Sequence, residues 1–289
     1  MRVLIIGCGY VGMALGTELV RQGHEVFGLR RTDVADGDLK AFGIVPLKAD
    51  ITKLQDLERL PTDCDWVVNC VSSSRGNVED YRAAYLGGMR NLIERLSANP
   101  PRKFVYTSST SVYGQTDGSI VTEVSLAEPL AETARVLVES EKLLSQAAAQ
   151  NFGAVILRVA GIYGPGRGYW FKQFLRGDVR IEGKGERFLN MVHRDDVVGA
   201  IIAALEKGRI GEIYNVVDDE PVRQLGLFEW LARTSGREMP PFAKLDQGRK
   251  RGWTNKRVSN RKLKTELGFQ LKYPTFREGY VATVRTLLC

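Results

Sequence analysis

The 289-residue chain has only two histidines and four cysteines, and no run of apolar residues long enough to cross a bilayer. A spanning helix needs ~18 or more such residues in a row, so no membrane segment is expected. The first apolar run, Val3-Leu4-Ile5-Ile6, is too short for a secretion signal and leads straight into glycine, so it reads as a first strand. Cys8, Cys64, Cys70 and Cys289 share no C-x-x-C spacing, a pattern that fits reduced thiols in a cytoplasmic protein and no disulfide frame. There is no H-E-x-x-H, no Cys/His cluster and no G-x-S-x-G, so metal-dependent hydrolysis and serine-hydrolase chemistry have nothing to stand on, and no metal is expected. Gly183-Lys184-Gly185 lacks the spacing of a Walker loop.

What is present is an ordinary globular composition, 44% hydrophobic and 26% charged, long enough for one large domain and a smaller appendage. The formal net charge is +7, with much of the excess in Arg249-Lys250-Arg251, Lys256, Arg257, Arg261, Lys262 and Lys264. Aromatic residues do not interleave with that stretch as base-stacking platforms would, so no nucleic-acid partner is expected. The stretch reads as a solvated basic face or a site for a phosphorylated ligand.

Short apolar runs at Val3–Ile6, Glu25–Leu29, Ile44–Leu47, Trp66–Asn69 and Phe104–Thr107 alternate with helical patterns. Runs of this length are what parallel strands buried on both faces look like. Helices are predicted over Val11–Arg21, Val78–Leu96, Thr133–Gln150 and Asp195–Glu206, with later strands at Ala154–Arg158 and Ile213–Val216. The segment from Gly161 to Gly168 is rich in glycine and is read as turns without regular structure. The expectation is an α/β fold: a Rossmann-type doubly wound parallel sheet with a small, mostly helical C-terminal substrate lobe. Residues 1–165, with 195–217 returning, form the dinucleotide-binding domain, and 166–194 with 218–289 form the lobe.

Gly7-Cys8-Gly9-Tyr10-Val11-Gly12 follows the first strand and opens the first helix. Gly7 allows the tight turn, Gly9 lets the backbone approach a pyrophosphate, and Gly12 lets helix and strand pack closely. Sites for NAD place an acidic residue after the second strand, whereas this chain has Arg30 and Arg31. Two guanidinium groups suit the 2′-phosphate of NADP, so NADP is preferred over NAD. Asp33 is the nearest acid.

With these motifs the chain resembles the extended short-chain dehydrogenase/reductases of the NAD-dependent epimerase/dehydratase family. Asp50-Ile51 is similar to the family's adenine-contacting pair, Thr107-Ser108-Ser109 to its catalytic-serine segment, and Leu157–Gly166 to the strand and turn beside the nicotinamide. Val192-His193-Arg194-Asp195-Asp196-Val197 and Ile213-Tyr214-Asn215-Val216 match two further segments. The resemblance implies cofactor contacts from Gly7, Gly9, Tyr10, Val11, Gly12, Arg30, Arg31, Asp50, Ile51, Val71, Thr107, Ser108, Val159 and Ile162.

The family's proton is moved by Tyr and Lys in Y-x-x-x-K. Here the Tyr position falls on Thr133 and the Lys position on Leu137, and Tyr85 stands where the family has an asparagine. Ser109 polarises a substrate carbonyl or caps the strand end; Tyr85 is a replacement proton donor or a core tyrosine; Thr133 acts through water. Tyr113, His24 and His193 read as structural. Two functions fit: an NADP-dependent oxidoreductase or epimerase acting on a small polar molecule such as a nucleotide sugar, or a non-catalytic NADP(H)-binding redox sensor or partner-binding module.

Overall fold

A computed structural model of the protein describes residues 1–32, 36–73, 77–244 and 254–281. In chain order the elements run β1 (Arg2–Ile6), α1 (Tyr10–Arg21), β2 (Glu25–Arg30), α2 (Asp36–Ala41), β3 (Val45–Lys48), β4 (Trp66–Asn69), α3 (Val78–Tyr81), α4 (Gly88–Leu96) and β5 (Lys103–Ser109). Then follow β6 (Ile120–Val121), α5 (Glu132–Ala148), β7 (Ala154–Val159), β8 (Gly161–Tyr163), α6 (Tyr169–Arg176), β9 (Ile181–Glu182), β10 (Phe188–Leu189) and β11 (Met191–His193). The rest are α7 (Arg194–Lys207), β12 (Ile213–Val216), β13 (Val222–Arg223), α8 (Gln224–Ser235), β14 (Phe242–Ala243), β15 (Arg257–Val258) and α9 (Arg261–Leu267). A π-helical turn, Arg82–Gly87, joins α3 to α4 and completes the single helix that the spacing predicts.

Contacts divide the chain into two compact units. The first comprises Met1–Ser109, Glu132–Arg158 and Val198–Tyr214. It is built on a seven-stranded sheet in the order β12-β7-β5-β4-β1-β2-β3, and β1 pairs in parallel with both β2 and β4. All four residues of β4 are buried, as are Val3, Leu4, Ile5 and Ile6 of β1. That burial on both faces is why the strands read as unbroken apolar runs with no polar alternation. Under one face lies a core of Leu4, Ile6, Val67, Met89, Leu92, Phe104 and Tyr106, to which α4 contributes Met89, Leu92 and Leu96 at helical spacing.

The second unit comprises Thr110–Ala131, Val159–Val197 and Asn215–Cys289. Its apolar core gathers Phe171 and Phe174 of α6, Leu227, Phe228 and Leu231 of α8, and Phe276 with Tyr280. Among the described residues, four two-stranded ribbons, including β10–β13 and β6–β15, accompany the helices of this unit, so the lobe is less purely helical than expected.

Four stretches expected in the first domain, 110–131, 159–165, 195–197 and 215–217, fall in the second unit. Residues 110–131 belong with the second unit, because β6 pairs in parallel with β15 and the Tyr113 hydroxyl donates to Asn215 Oδ1 at 2.8 Å. Residues 159–165 go with it too, and the glycine-rich segment is not all turn, since Gly161–Tyr163 pairs as β8 with β11. Gly161 forms a main-chain hydrogen bond to the Asn190 carbonyl, and this anchors a strand that glycine content alone argues against.

Candidate cofactor and active site

The strand order reverses between β1 and β4, and at such a point the carboxyl ends of an open α/β sheet leave room for a ligand. Gly7 has a φ of +82°, and a Cβ on it would lie 2.7 Å from the Val71 amide nitrogen. Only glycine lets the turn after β1 pass so close to the chain leaving β4. A Cβ on Gly12 would come 2.7 Å from the Gly7 carbonyl oxygen and 3.0 Å from an Ile5 methyl, so Gly12 lets α1 settle on β1. Gly9 is different, because a Cβ there meets nothing closer than the Gly7 oxygen at 4.0 Å. Helix α1 starts at Tyr10 with no side-chain cap and no acid in its first turn, so the amides of Tyr10, Val11 and Gly12 present the helix's positive end to an anion. This open cradle fits a dinucleotide pyrophosphate.

Arg30, the last residue of β2, folds back over the turn, and its Nε donates to the Cys8 carbonyl oxygen at 2.5 Å. Arg31 beside it is exposed. Burial works to raise the Asp50 carboxyl, but hydrogen bonds from Thr52 and the charges of Arg31 and Lys53 outweigh it and hold the group below its ordinary range. Ile51 is buried, and its carbonyl accepts from Asn91 Nδ2 at 2.9 Å. Arg31 and Asp50 thus interact, next to the ends of β2 and β3, while Asp33 falls outside the described residues. Burial, opposed by Arg30, pushes the Cys8 thiol up to about 11, which makes Cys8 a packing residue and not a nucleophile.

The Thr107 hydroxyl donates to the Asn69 carbonyl at 3.1 Å, and Asn69 Oδ1 accepts from the Val71 amide at 3.1 Å, so the chain leaving β4 is stitched to β5. Ser108 does not offer its hydroxyl to a ligand. That group donates to Glu141 Oε1 at 2.5 Å, and Arg158 grips the same carboxylate, with Nη2 2.7 Å from Oε2 and Nε 3.2 Å from Oε1. Ser108, Glu141 and Arg158 are 6%, 3% and 5% exposed, so this network lies inside the core and leaves Ser108 only its main chain for a cofactor.

Ser109, ending β5, is half-buried. Tyr85 lies in the π-helical turn, where its phenol oxygen accepts from the Ser73 amide at 3.2 Å and its ring packs on the core and 4.9 Å from the Tyr81 ring. It is therefore a core tyrosine whose polar end reaches the loop after β4, which joins the two readings the sequence leaves open. Such π turns recur at functional sites because they re-aim one side chain without ending the helix. Thr133 is half-buried near the start of α5, and one turn later Leu137 is buried at 4% exposure. Leu137 thus occupies the position where the family has its lysine.

In the second unit, Val159 is buried and Ile162 lies on β8. His193 is enclosed by Tyr273 and Tyr163, with ring centroids at 3.9 and 5.4 Å, and its Nδ1 accepts from the Asp195 amide. Burial pulls its pKa down to about 4, so it is a neutral core histidine, as expected.

The sequence profile of the NAD dependent epimerase/dehydratase family matches residues 3–216. The chain belongs to that family. It is 32% identical to Protein YeeZ of Escherichia coli K12 over 94% of this chain and 96% of that one. Among solved structures, a conserved protein of unknown function from Silicibacter pomeroyi DSS superposes with a TM-score of 0.81 at 29% identity, covering 99% of this chain and 98% of its own. The dTDP-glucose 4,6-dehydratase of Bacillus anthracis, solved in complex with NAD, superposes at 0.84 with 20% identity over 99% and 96% of the two chains, a likeness of fold. Family membership accounts for the glycine cradle and the sheet order. It leaves α5 as a departure, because no Tyr-x-x-x-Lys occurs in it.

Reading the sequence residue by residue missed the buried Ser108–Glu141–Arg158 network and the buried Lys256, whose Nζ donates to the Tyr113 carbonyl oxygen at 2.7 Å. A charged residue inside an otherwise apolar strand, Arg158 in Ala154–Val159, was the available signal for the first. Lys256 had none, being one basic residue among many.

Proposed function

We propose that this protein is an NADP-dependent oxidoreductase or epimerase acting on a small polar substrate, with a nucleotide sugar as the best candidate, and that it works without the Tyr–Lys dyad. The observation that carries the cofactor half is Arg30. Its guanidinium is pinned over the pyrophosphate turn by the Cys8 carbonyl, with Arg31 exposed beside it where an acid would serve NAD. The substrate half rests on the family and on dTDP-glucose being the substrate named for a structural neighbour.

A bound nicotinamide supplies the acceptor or donor of hydride. The chain's own residues do the rest: Ser109 polarises a substrate carbonyl, and Tyr85 Oη carries the proton. The Ser73 amide stabilises the negative charge that builds on that oxygen when the proton leaves, and Thr133 assists through water. Residues 166–194 and 218–289 supply most of the substrate contacts.

The test is a calorimetric titration of NADPH against NADH. A charge-assisted contact to the 2′-phosphate contributes roughly 1.5–3 kcal/mol, so NADPH should bind about tenfold or more tightly. Arg30→Ala with Arg31→Ala should remove that preference and leave NADH binding in place. Equal affinities in the native protein, or tighter NADH, overturn the assignment. A second reading, a non-catalytic NADP(H)-binding sensor, draws on the buried Leu137. It prevails if NADPH binds tightly but no carbonyl in a broad library oxidises it.

A further inference from the structure

Residues 117–131 of the second unit form a strap that turns apolar side chains to solvent: Val124 is 93% exposed, Leu126 69%, Ile120 61% and Leu130 57%. Single exposed apolar residues are ordinary, but four within one short segment make the kind of patch that marks an interaction surface. The strap is firmly built. Its β6 pairs with β15, the Gly118 amide donates to the Asn255 carbonyl at 2.9 Å, and Gln115 Nε2 donates to the Leu126 carbonyl at 3.1 Å. A turn closed between Thr122 and Ser125 carries Val124. Exposure of these side chains is therefore a property of the fold, and binding them costs little further ordering.

The strap also carries charge of one sign. No lysine or arginine occurs between Lys103 and Arg135, whereas Asp117, Glu123 and Glu128 do, in a chain of net charge +7. Glu123 is committed to the Asn215 amide at 2.8 Å, while Asp117 and Glu128 are exposed.

The complementary surface lies in the same unit. A groove of about 190 Å³ opens between the end of α6 and the segment leading into β14, and Phe174, Val179, Met239, Pro240 and Pro241 make it apolar. Residues 172–180 and 233–244, which form it, carry six basic and two acidic side chains, all exposed. Arg180 is fixed at the mouth by donating to the Gly177 and Val179 carbonyls at 3.2 and 2.9 Å, and Arg237 by donating to the Leu175 carbonyl at 2.9 Å. The two acids, Asp178 and Glu238, are outnumbered there.

We propose that the strap of one copy of this chain docks in the groove of a second copy. Val124 and Leu126 enter the apolar floor, while Asp117 and Glu128 face the arginines of the rim. A second copy is the occupant because it brings the matching surface, basic around apolar, wherever this chain is present. Symmetric pairing lets each molecule give its strap and receive the other's. The inference is independent of the cofactor and substrate readings.

Sedimentation velocity of the full chain without ligand tests it. The native protein should self-associate reversibly, and raising the salt from about 0.05 M to about 0.5 M should weaken association about tenfold or more. Val124→Ser and Leu126→Ser should each weaken it by a similar factor. Asp117→Lys with Glu128→Lys should remove this step of association, and so should Arg176→Glu with Arg180→Glu and Arg237→Glu. Mixing those two variants should restore it, because each then supplies the sign the other needs. Thermal melts check that the variants fold, and the salt series needs no variant. A native protein that stays monomeric up to about 100 μM overturns the proposal and leaves the strap to a partner of different sequence. So does an assembly that neither salt nor either reversal weakens, or reversed variants that stay apart when mixed.

Discussion

Replacing Glu141 with glutamine should be among the most damaging conservative changes in this chain. Glutamine keeps the shape of the side chain but removes the countercharge from Arg158, which is 5% exposed and cannot give up its proton. Breaking one side of a buried ion pair costs about 3–5 kcal/mol. In a protein of this size each kcal/mol is worth ~2–4 °C, so the melting temperature should drop by roughly 6–20 °C. The loss should come from the orphaned charge more than from the missing bonds. Hence Glu141→Leu combined with Arg158→Met should be more stable than either single change, with a coupling energy of about 2 kcal/mol or more. Urea denaturation followed by circular dichroism measures the native protein, Glu141→Gln, the two other single variants and the double variant. A single Glu141→Gln costing under ~1 kcal/mol, or costs that simply add, would refute the reasoning that a desolvated pair ties α5 to β7.

Three further outcomes are expected. Gly9→Val should fold normally yet lose binding of both dinucleotides, whereas Gly12→Ala should lose about 1–3 kcal/mol of stability because its Cβ meets main chain at 2.7 Å; thermal melts with NADPH titrations separate the two, and a folded Gly9→Val protein that binds normally would place the cofactor elsewhere. His193 is neutral when folded, so its contribution to stability is complete above pH 6.5 and is lost as the pH falls toward about 4, by about 3 kcal/mol in all; the pH–stability curve of His193→Asn should be flatter by that amount over the same window, and parallel curves would contradict the burial of a neutral ring.

Much of the first unit was legible because its signals are local. The cradle needs three glycines within six residues, and a strand buried on both faces announces itself as an apolar run, as Trp66–Asn69 does. What stayed hidden is joined across distance. Nothing near Ile120 indicates that it pairs with Arg257, and that pairing is what carries residues 110–131 into the second unit. Ser108 looked like a ligand contact because of its neighbours in sequence, but its hydroxyl is set by Glu141, 33 residues away. Tyr85 lay between these extremes: its place on a helix face could be read, while the π turn that aims its hydroxyl at Ser73 could not.

The interleaving of the two units has a consequence for synthesis on the ribosome. The first unit needs segments that end at Ser109, Arg158 and Tyr214, so its sheet cannot be completed until roughly 100 residues after β5 has been made. At about 5–20 residues per second, β5 waits on the order of several seconds for β7 and longer for β12. During that wait β5 presents a strand edge whose residues Phe104, Val105 and Tyr106 are wholly buried in the finished fold. The nascent chain is therefore most vulnerable to aggregation, and most in need of a chaperone, in the interval between emergence of Ser109 and emergence of Arg158.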